Sequence, residues 1–197
     1  MVAVICAAVS VAIGTIAVFA YLSGKSGSVN NTLTADPDPT IAIQETVSGD
    51  TKSDVYFVVN NAGYTVYVRA AIVVTWADGN GNVLATKPVE GTDYDITYAN
   101  VVSTSSLAAE KWTLGSDGFY YYSSPVGSEA PNNQTQKLIE TAKLKDGVTP
   151  PEGYSLSIEI VAQTVQAIGT TDTDDVLAVE DAWGVDVDNN GLISKSA

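Results

Sequence analysis

Val66-Tyr67-Val68-Arg69-Ala70-Ala71-Ile72-Val73-Val74-Thr75-Trp76 is the stretch that decides the fold. Val66, Val68, Ala70, Ile72, Val74 and Trp76 share one side, and Tyr67, Arg69, Ala71, Val73 and Thr75 share the other. That period of two belongs to a strand, whose successive side chains point to opposite faces. The second face is only partly polar, so the segment predicts a long central strand. Asp78-Gly79-Asn80-Gly81 follows and predicts a hairpin turn into Val83 and Leu84.

The same pattern extends to both sides. Ile41-Ala42-Ile43 starts a short strand. Val55, Phe57 and Val59 alternate with Tyr56 and Val58, which gives a strand with one strongly apolar face. Asn60-Asn61-Ala62-Gly63 is a turn of residues that tolerate positive φ. Further strands are expected over Asp95–Tyr98, Lys111–Leu114, Phe119–Tyr122, Gln136–Leu144 and Tyr154–Ala167. The last carries Leu156, Ile158, Ile160 and Ala162 on one face. Ser103–Glu110 and Asp172–Trp183 read as short helices, the second with Asp172, Asp174 and Asp175 at its N-terminus. The stretch after Trp183 is polar and acidic and reads as a loose tail.

Many strands joined by Gly, Asn and Asp turns predict an all-β fold, an antiparallel β-sandwich of jelly-roll type with one or two short helices. An N-terminal hydrophobic signal helix is expected to precede it. The expected organisation is a signal peptide over 1–20, an extended N-terminal segment and linker over 21–39, the sandwich over 40–185 and an acidic tail over 186–197. Asp36-Pro37-Asp38-Pro39 makes the linker stiff, because each Pro fixes its own φ and pushes its predecessor into extended geometry.

Met1–Leu22 is an apolar run broken only by Cys6, Ser10, Gly14 and Thr15, with no Lys or Arg before Lys25. Two readings stand. A run of about twenty apolar residues can span a membrane as a helix, or it can be a signal peptide that is removed. Val18 and Ala20 suit the small-residue positions of a cut between Ala20 and Tyr21.

Removing twenty of the 197 residues leaves 177, enough for one sizeable core. All nine Lys and Arg and all 23 Asp and Glu lie beyond Ala20, so the remainder keeps the net charge of −14. A polyanion is a poor ligand for nucleic acid phosphates. The single cysteine, Cys6, lies in the export segment, so the remainder has no disulfide. Histidine is absent, which excludes Ser-His-Asp and Cys-His catalysis and His-based zinc sites. Carboxylate-only hydrolysis would need two facing carboxyl groups at a fixed separation, and no spacing suggests it. No enzyme activity and no cofactor are expected.

Gly14-Thr15-Ile16-Ala17, Tyr21-Leu22-Ser23 and Asn31-Thr32-Leu33-Thr34 resemble the export-and-start region of the TasA/camelysin family. Asn60-Asn61-Ala62-Gly63 leading to Tyr67-Val68-Arg69 resembles that family's turn and Tyr-Val-Arg strand. Blocks 76–83, 88–94, 117–122 and 165–167 are similar to the BsaA-like biofilm matrix pilins of clostridia. The resemblance runs from about Gly14 to Val185. It implies a Gram-positive secreted subunit, processed by a SipW-type signal peptidase, that polymerises with itself into matrix fibres at the cell surface. It implies assembly by donor-strand complementation and, in some members, isopeptide cross-links. Other matrix components are further expected partners. Gly24 and Gly27 stand where the family often has acidic residues. The metalloprotease activity described for camelysin is not expected in a chain without histidine.

On that resemblance the assembly residues are Tyr21, Leu22, Val29, Asn31 and Leu33. Val29, Asn31 and Leu33 share one strand face, and Leu22 needs a bulge or break to join them. The alternatives are a leader left without structure, or a strand folded into its own subunit. Arg69 reads either as a fibre contact or as an outer-face arginine paired with a carboxylate and stacked on an aromatic ring. Tyr120-Tyr121-Tyr122 reads either as an aromatic binding surface or as a strand with alternating rings. Asp186-x-Asp188-x-Asn190-Gly191 matches the first half of a calcium loop, but position twelve is Ala197. It reads as a weak calcium candidate or as solvated tail. The alternative to a fibre subunit is a monomeric, membrane-anchored surface adhesin or carbohydrate-binding module.

Overall fold

A computed structural model describes residues 40–60, 64–127, 129–167, 179–180 and 182–195, and the backbone alone of 15–20. The strands are β1 (Thr15–Ala20), β2 (Thr40–Ser48), β3 (Thr51–Asn60), β4 (Thr65–Ala77), β5 (Tyr94–Tyr98) and β6 (Val101–Val102). They continue as β7 (Trp112–Leu114), β8 (Tyr120–Tyr122), β9 (Ile139–Leu144), β10 (Ser155–Ala167), β11 (Asp186–Val187) and β12 (Ile193–Ser194). One sheet has the order β1-β10-β4-β8-β7-β6 and the other β2-β3-β9-β5. Every pairing is antiparallel except β6 with β7. The fold is an all-β sandwich.

The core lies between the sheets. Ile41, Val55, Phe57, Val59 and Ile139 of the four-stranded sheet meet Val66, Val68, Ala70, Trp112, Tyr122 and Ile160 of the six-stranded sheet. Each fully buried side chain of this size contributes about 1.5–3 kcal/mol. Trp112 is the largest of them. Its ring lies 5.4 Å from Phe57 and 5.0 Å from Tyr122, and its Nε1 donates to Gln136 O at 3.0 Å. The face expected for the decisive strand points inward, with Val66, Val68 and Ala70 fully buried and Trp76 nearly so.

The outer face of the six-stranded sheet is covered too. Tyr67, Tyr121 and Val165 pack against Val179, Trp183, Val185 and Ile193. The stretch after Trp183, expected as a loose tail, therefore folds back: β11 and β12 form a hairpin, and Ile193 N donates to Ser123 O at 2.8 Å. Apolar Val185, Val187 and Ile193, spaced among its acidic residues, pay for this ordering through burial.

Other expectations shift. The expected helix over Ser103–Glu110 is one 3-10 turn, Thr104–Ser106. Ser103 Oγ bonds with the hydroxyls of Ser105 and Ser106, a local alternative to the helical backbone ladder. Of the helix expected over Asp172–Trp183, Val179, Glu180, Ala182 and Trp183 are helical, and Asp172, Asp174 and Asp175 lie outside the described residues. Val83 forms one bridge to Ala77 and stays exposed instead of starting a strand. Of the expected signal helix, residues 1–14 lie outside the described residues. Thr15–Ala20 form a strand, where β-branched Thr15, Ile16 and Val18 suit extended backbone.

Candidate assembly edge

The direction of each peptide group on β10 follows from its neighbour. Val66 exchanges both backbone hydrogen bonds with Val126, and Trp76 O accepts from Leu84 N at 2.9 Å. Even-numbered residues of β4 therefore direct their N–H and C=O away from β10. Its odd-numbered residues make the hydrogen-bonded pairs with β10, such as Arg69 with Gln163 and Val73 with Glu159. The register is unbroken over all of β10, so Leu156, Ile158, Ile160, Ala162, Thr164 and Gln166 aim their peptide groups at the far edge.

β1 occupies part of that edge. Ile16 pairs with Thr164, Val18 with Ala162 and Ala20 with Ile160. Ala20, the expected last residue before cleavage, thus sits opposite Ile160. The expected assembly residues Tyr21, Leu22, Val29, Asn31 and Leu33 lie outside the described residues. Among the described residues, Ser155–Glu159 have no strand on this side.

A buried ion pair stands beside Ile158 of β10. Lys52 Nζ donates to Ile158 O at 2.7 Å and lies 2.9 Å from Glu45 Oε2. The side chains are only 7% and 11% exposed, so both charges are withdrawn from water. Burial pushes the Lys52 ammonium below the usual lysine range, and the Glu45 carboxylate opposes that shift. Sequence alternation missed Lys52, because Val55, Phe57 and Val59 put even-numbered residues outside. A bulge reverses the parity: Gln44 pairs with Tyr56 but Thr46 pairs with Ser53, so β3 has one residue more than β2. Asp54 within it has φ of 57°. Glu45 keeps the inward phase of Ile41 and Ile43, and Lys52 is turned inward to meet it.

Arg69 lies on the outer face. Its Nε donates to Gln163 Oε1 at 2.7 Å and its Nη1 to the Tyr121 hydroxyl at 3.1 Å. The guanidinium lies 4.3 Å from the centre of the Phe119 ring and 4.8 Å from that of Trp183. Asp117 Oδ2 accepts from Tyr121 at 2.5 Å and is 3.9 Å from Arg69 Nη1. This is the paired and stacked arginine, with Phe119 and Trp183 as its rings. The three tyrosines are all buried, Tyr120 and Tyr122 inside and Tyr121 under the C-terminal hairpin, because both faces of the sheet are covered.

Asp186 lies in β11, and Asp188-Asn189-Asn190-Gly191-Leu192 forms its turn. Asp188 Oδ1 accepts from Asn190 N at 2.8 Å and Leu192 N at 2.9 Å. The same turn occurs at Asp78, whose Oδ1 accepts from Asn80 N at 2.9 Å and Asn82 N at 2.8 Å. The Asn82 side-chain amide, which donates to Asp78 Oδ2 at 2.8 Å, and then the backbone donors hold the Asp78 carboxyl below the usual carboxylate range, and Leu192 N chiefly does so for Asp188. Gly81 and Gly191 supply the positive φ at equivalent places. Among the described residues no group of three or more His, Cys, Asp or Glu side chains is placed to hold a metal ion.

The chain matches no family model, and no curated protein or solved structure is significantly similar to it. The fold defines it as an all-β sandwich in which β10 pairs with β1 over Thr15–Ala20.

Proposed function

We propose that this protein is a secreted structural subunit of an extracellular biofilm matrix fibre of a Gram-positive cell. The reading takes the sandwich as jelly-roll-like and residues 1–20 as a signal segment removed by a SipW-type peptidase. The extended segment over 21–34 of one subunit then completes the six-stranded sheet of the next, head to tail. Such an interface is heterologous and does not close. The function is binding, with no turnover.

One observation carries this reading: the β10 edge is filled by Thr15–Ala20, part of the segment proposed to be removed. Cutting after Ala20 takes β1 away and leaves the peptide groups of Ile160, Ala162 and Thr164 unpaired. An open edge of this kind takes an added strand through main-chain hydrogen bonds. The resemblance to TasA/camelysin proteins supplies the identity of that strand. The test joins two measurements on protein isolated from culture, the intact mass and electron microscopy. A mass beginning at Tyr21 together with fibres supports the proposal. A retained N-terminus with monomers only moves the anchored adhesin to the front.

A further inference from the structure

The geometry points to Lys52 as an end-stop for strand addition on β10. Its hydrogen bond to Ile158 O makes Ile160 the last β10 residue with which a strand from a second copy of this chain can pair. This inference rests on the proposed assembly and adds its register. The occupant is an extended strand of a second copy, because a six-residue strand of this same chain fills the edge here.

Four observations converge. The Ile158 carbonyl points outward, by the parity set at Val66 and Trp76. Lys52 Nζ already donates to it at 2.7 Å. Among the described residues the pairing of β1 reaches Ile160, two residues away. The Asp54 bulge turns Lys52 toward β10, and Glu45 at 2.9 Å holds the ammonium there.

An incoming strand that ran past Ile160 would need to displace a charged donor with a neutral peptide N–H. Charge-assisted hydrogen bonds are about twice as strong as neutral ones. Its side chain would also meet the buried ion pair. Inward-pointing charge is one of the devices by which edge strands limit pairing. Register needs such a device here, since a slip of one residue would put every side chain of the added strand on the wrong face.

The test is quenched hydrogen exchange on assembled fibres, read amide by amide by NMR. In the wild type the amides of Ile160, Ala162 and Thr164 gain protection over the monomer, and those of Leu156 and Ile158 do not. In Lys52→Met/Glu45→Leu, which leaves no buried charge, protection moves two positions along the edge to include Ile158 and Leu156. In Glu45→Gln, which keeps the lysine, the boundary stays at Ile160. Protection of Ile158 in wild-type fibres overturns the end-stop whatever the variants do. So does a boundary that stays at Ile160 in a folded double variant. Wild-type protein that does not assemble overturns the fibre reading and the end-stop with it.

Discussion

Lys52 and Ile158 stand 106 residues apart and are joined by a 2.7 Å hydrogen bond from the ammonium to the carbonyl. This one contact ties the four-stranded sheet to β10 of the other sheet. It also places a positive charge inside an apolar sandwich, beside the Glu45 carboxylate.

Lys52→Ala leaves Glu45 buried without its counter-charge. Removing one partner of a buried ion pair costs about 3–5 kcal/mol, whereas an apolar replacement of both is near neutral. Lys52→Ala is expected to lose that much in denaturant unfolding, and Lys52→Met/Glu45→Leu to recover most of it. A loss below about 1 kcal/mol for Lys52→Ala, the range of exposed pairs, contradicts the burial described here.

Trp183 fastens the C-terminal hairpin to the sheet through Arg69 and an edge-on contact with Tyr121 at 5.9 Å. Trp183→Ala is expected to cost about 3–5 kcal/mol. It should also expose residues 185–195 to limited proteolysis. Its Nε1 has no hydrogen-bond partner among the described residues, so Trp183→Phe is expected to keep the hairpin protected. Equal proteolysis of wild type and Trp183→Ala would count against the hairpin as a packed element.

Alkali should unfold the sandwich through its tyrosines. Burial, aided by the hydrogen bond to Asp117, pushes Tyr121 up to about 12. Burial likewise pushes Tyr122 up to about 12. A raised folded pKa means that the native state holds the proton longer than the unfolded chain does. The stabilisation is therefore complete below the unfolded value of about 10 and is lost as pH rises toward 12. Tyrosinate absorbance against pH should show these groups ionising late or together with unfolding. Independent ionisation of all ten tyrosines near 10 would refute their burial.

The two Asp-x-Asn-Gly turns make a local prediction. Gly191 has φ of 73°, and a Cβ there meets only the Tyr67 hydroxyl, at 3.6 Å. Gly191→Ala is expected to cost about 1–2 kcal/mol from backbone strain alone. Gly79→Ala, with an ordinary φ and open space, is expected to be near neutral in the same thermal-unfolding assay.

The strands and the inward face of Val66–Trp76 were legible because one face of each strand meets the core. Three features were not. The Asp54 bulge breaks the alternation of Val55, Phe57 and Val59, which carried on would leave Lys52 outside, and an Asp with positive φ has no reliable sequence mark. The burial of Tyr121 depends on a C-terminal hairpin distant in sequence, so the Tyr120–Tyr122 run alone suggested alternation. The serines at Ser103–Ser106 satisfied one another instead of extending a helix. β10 was legible as a strand, but its place next to β1 at one side of the sheet follows only from the order of strands.

The most direct test of the central claim is negative-stain microscopy with size-exclusion on two purified chains, one beginning at Tyr21 and one at Asp36. Both lack β1 and leave the β10 edge open, but only the first carries the proposed donor segment. The account predicts fibres from the first and monomers from the second. Stable monomers from both, up to high concentration and at low pH, would contradict assembly through that segment.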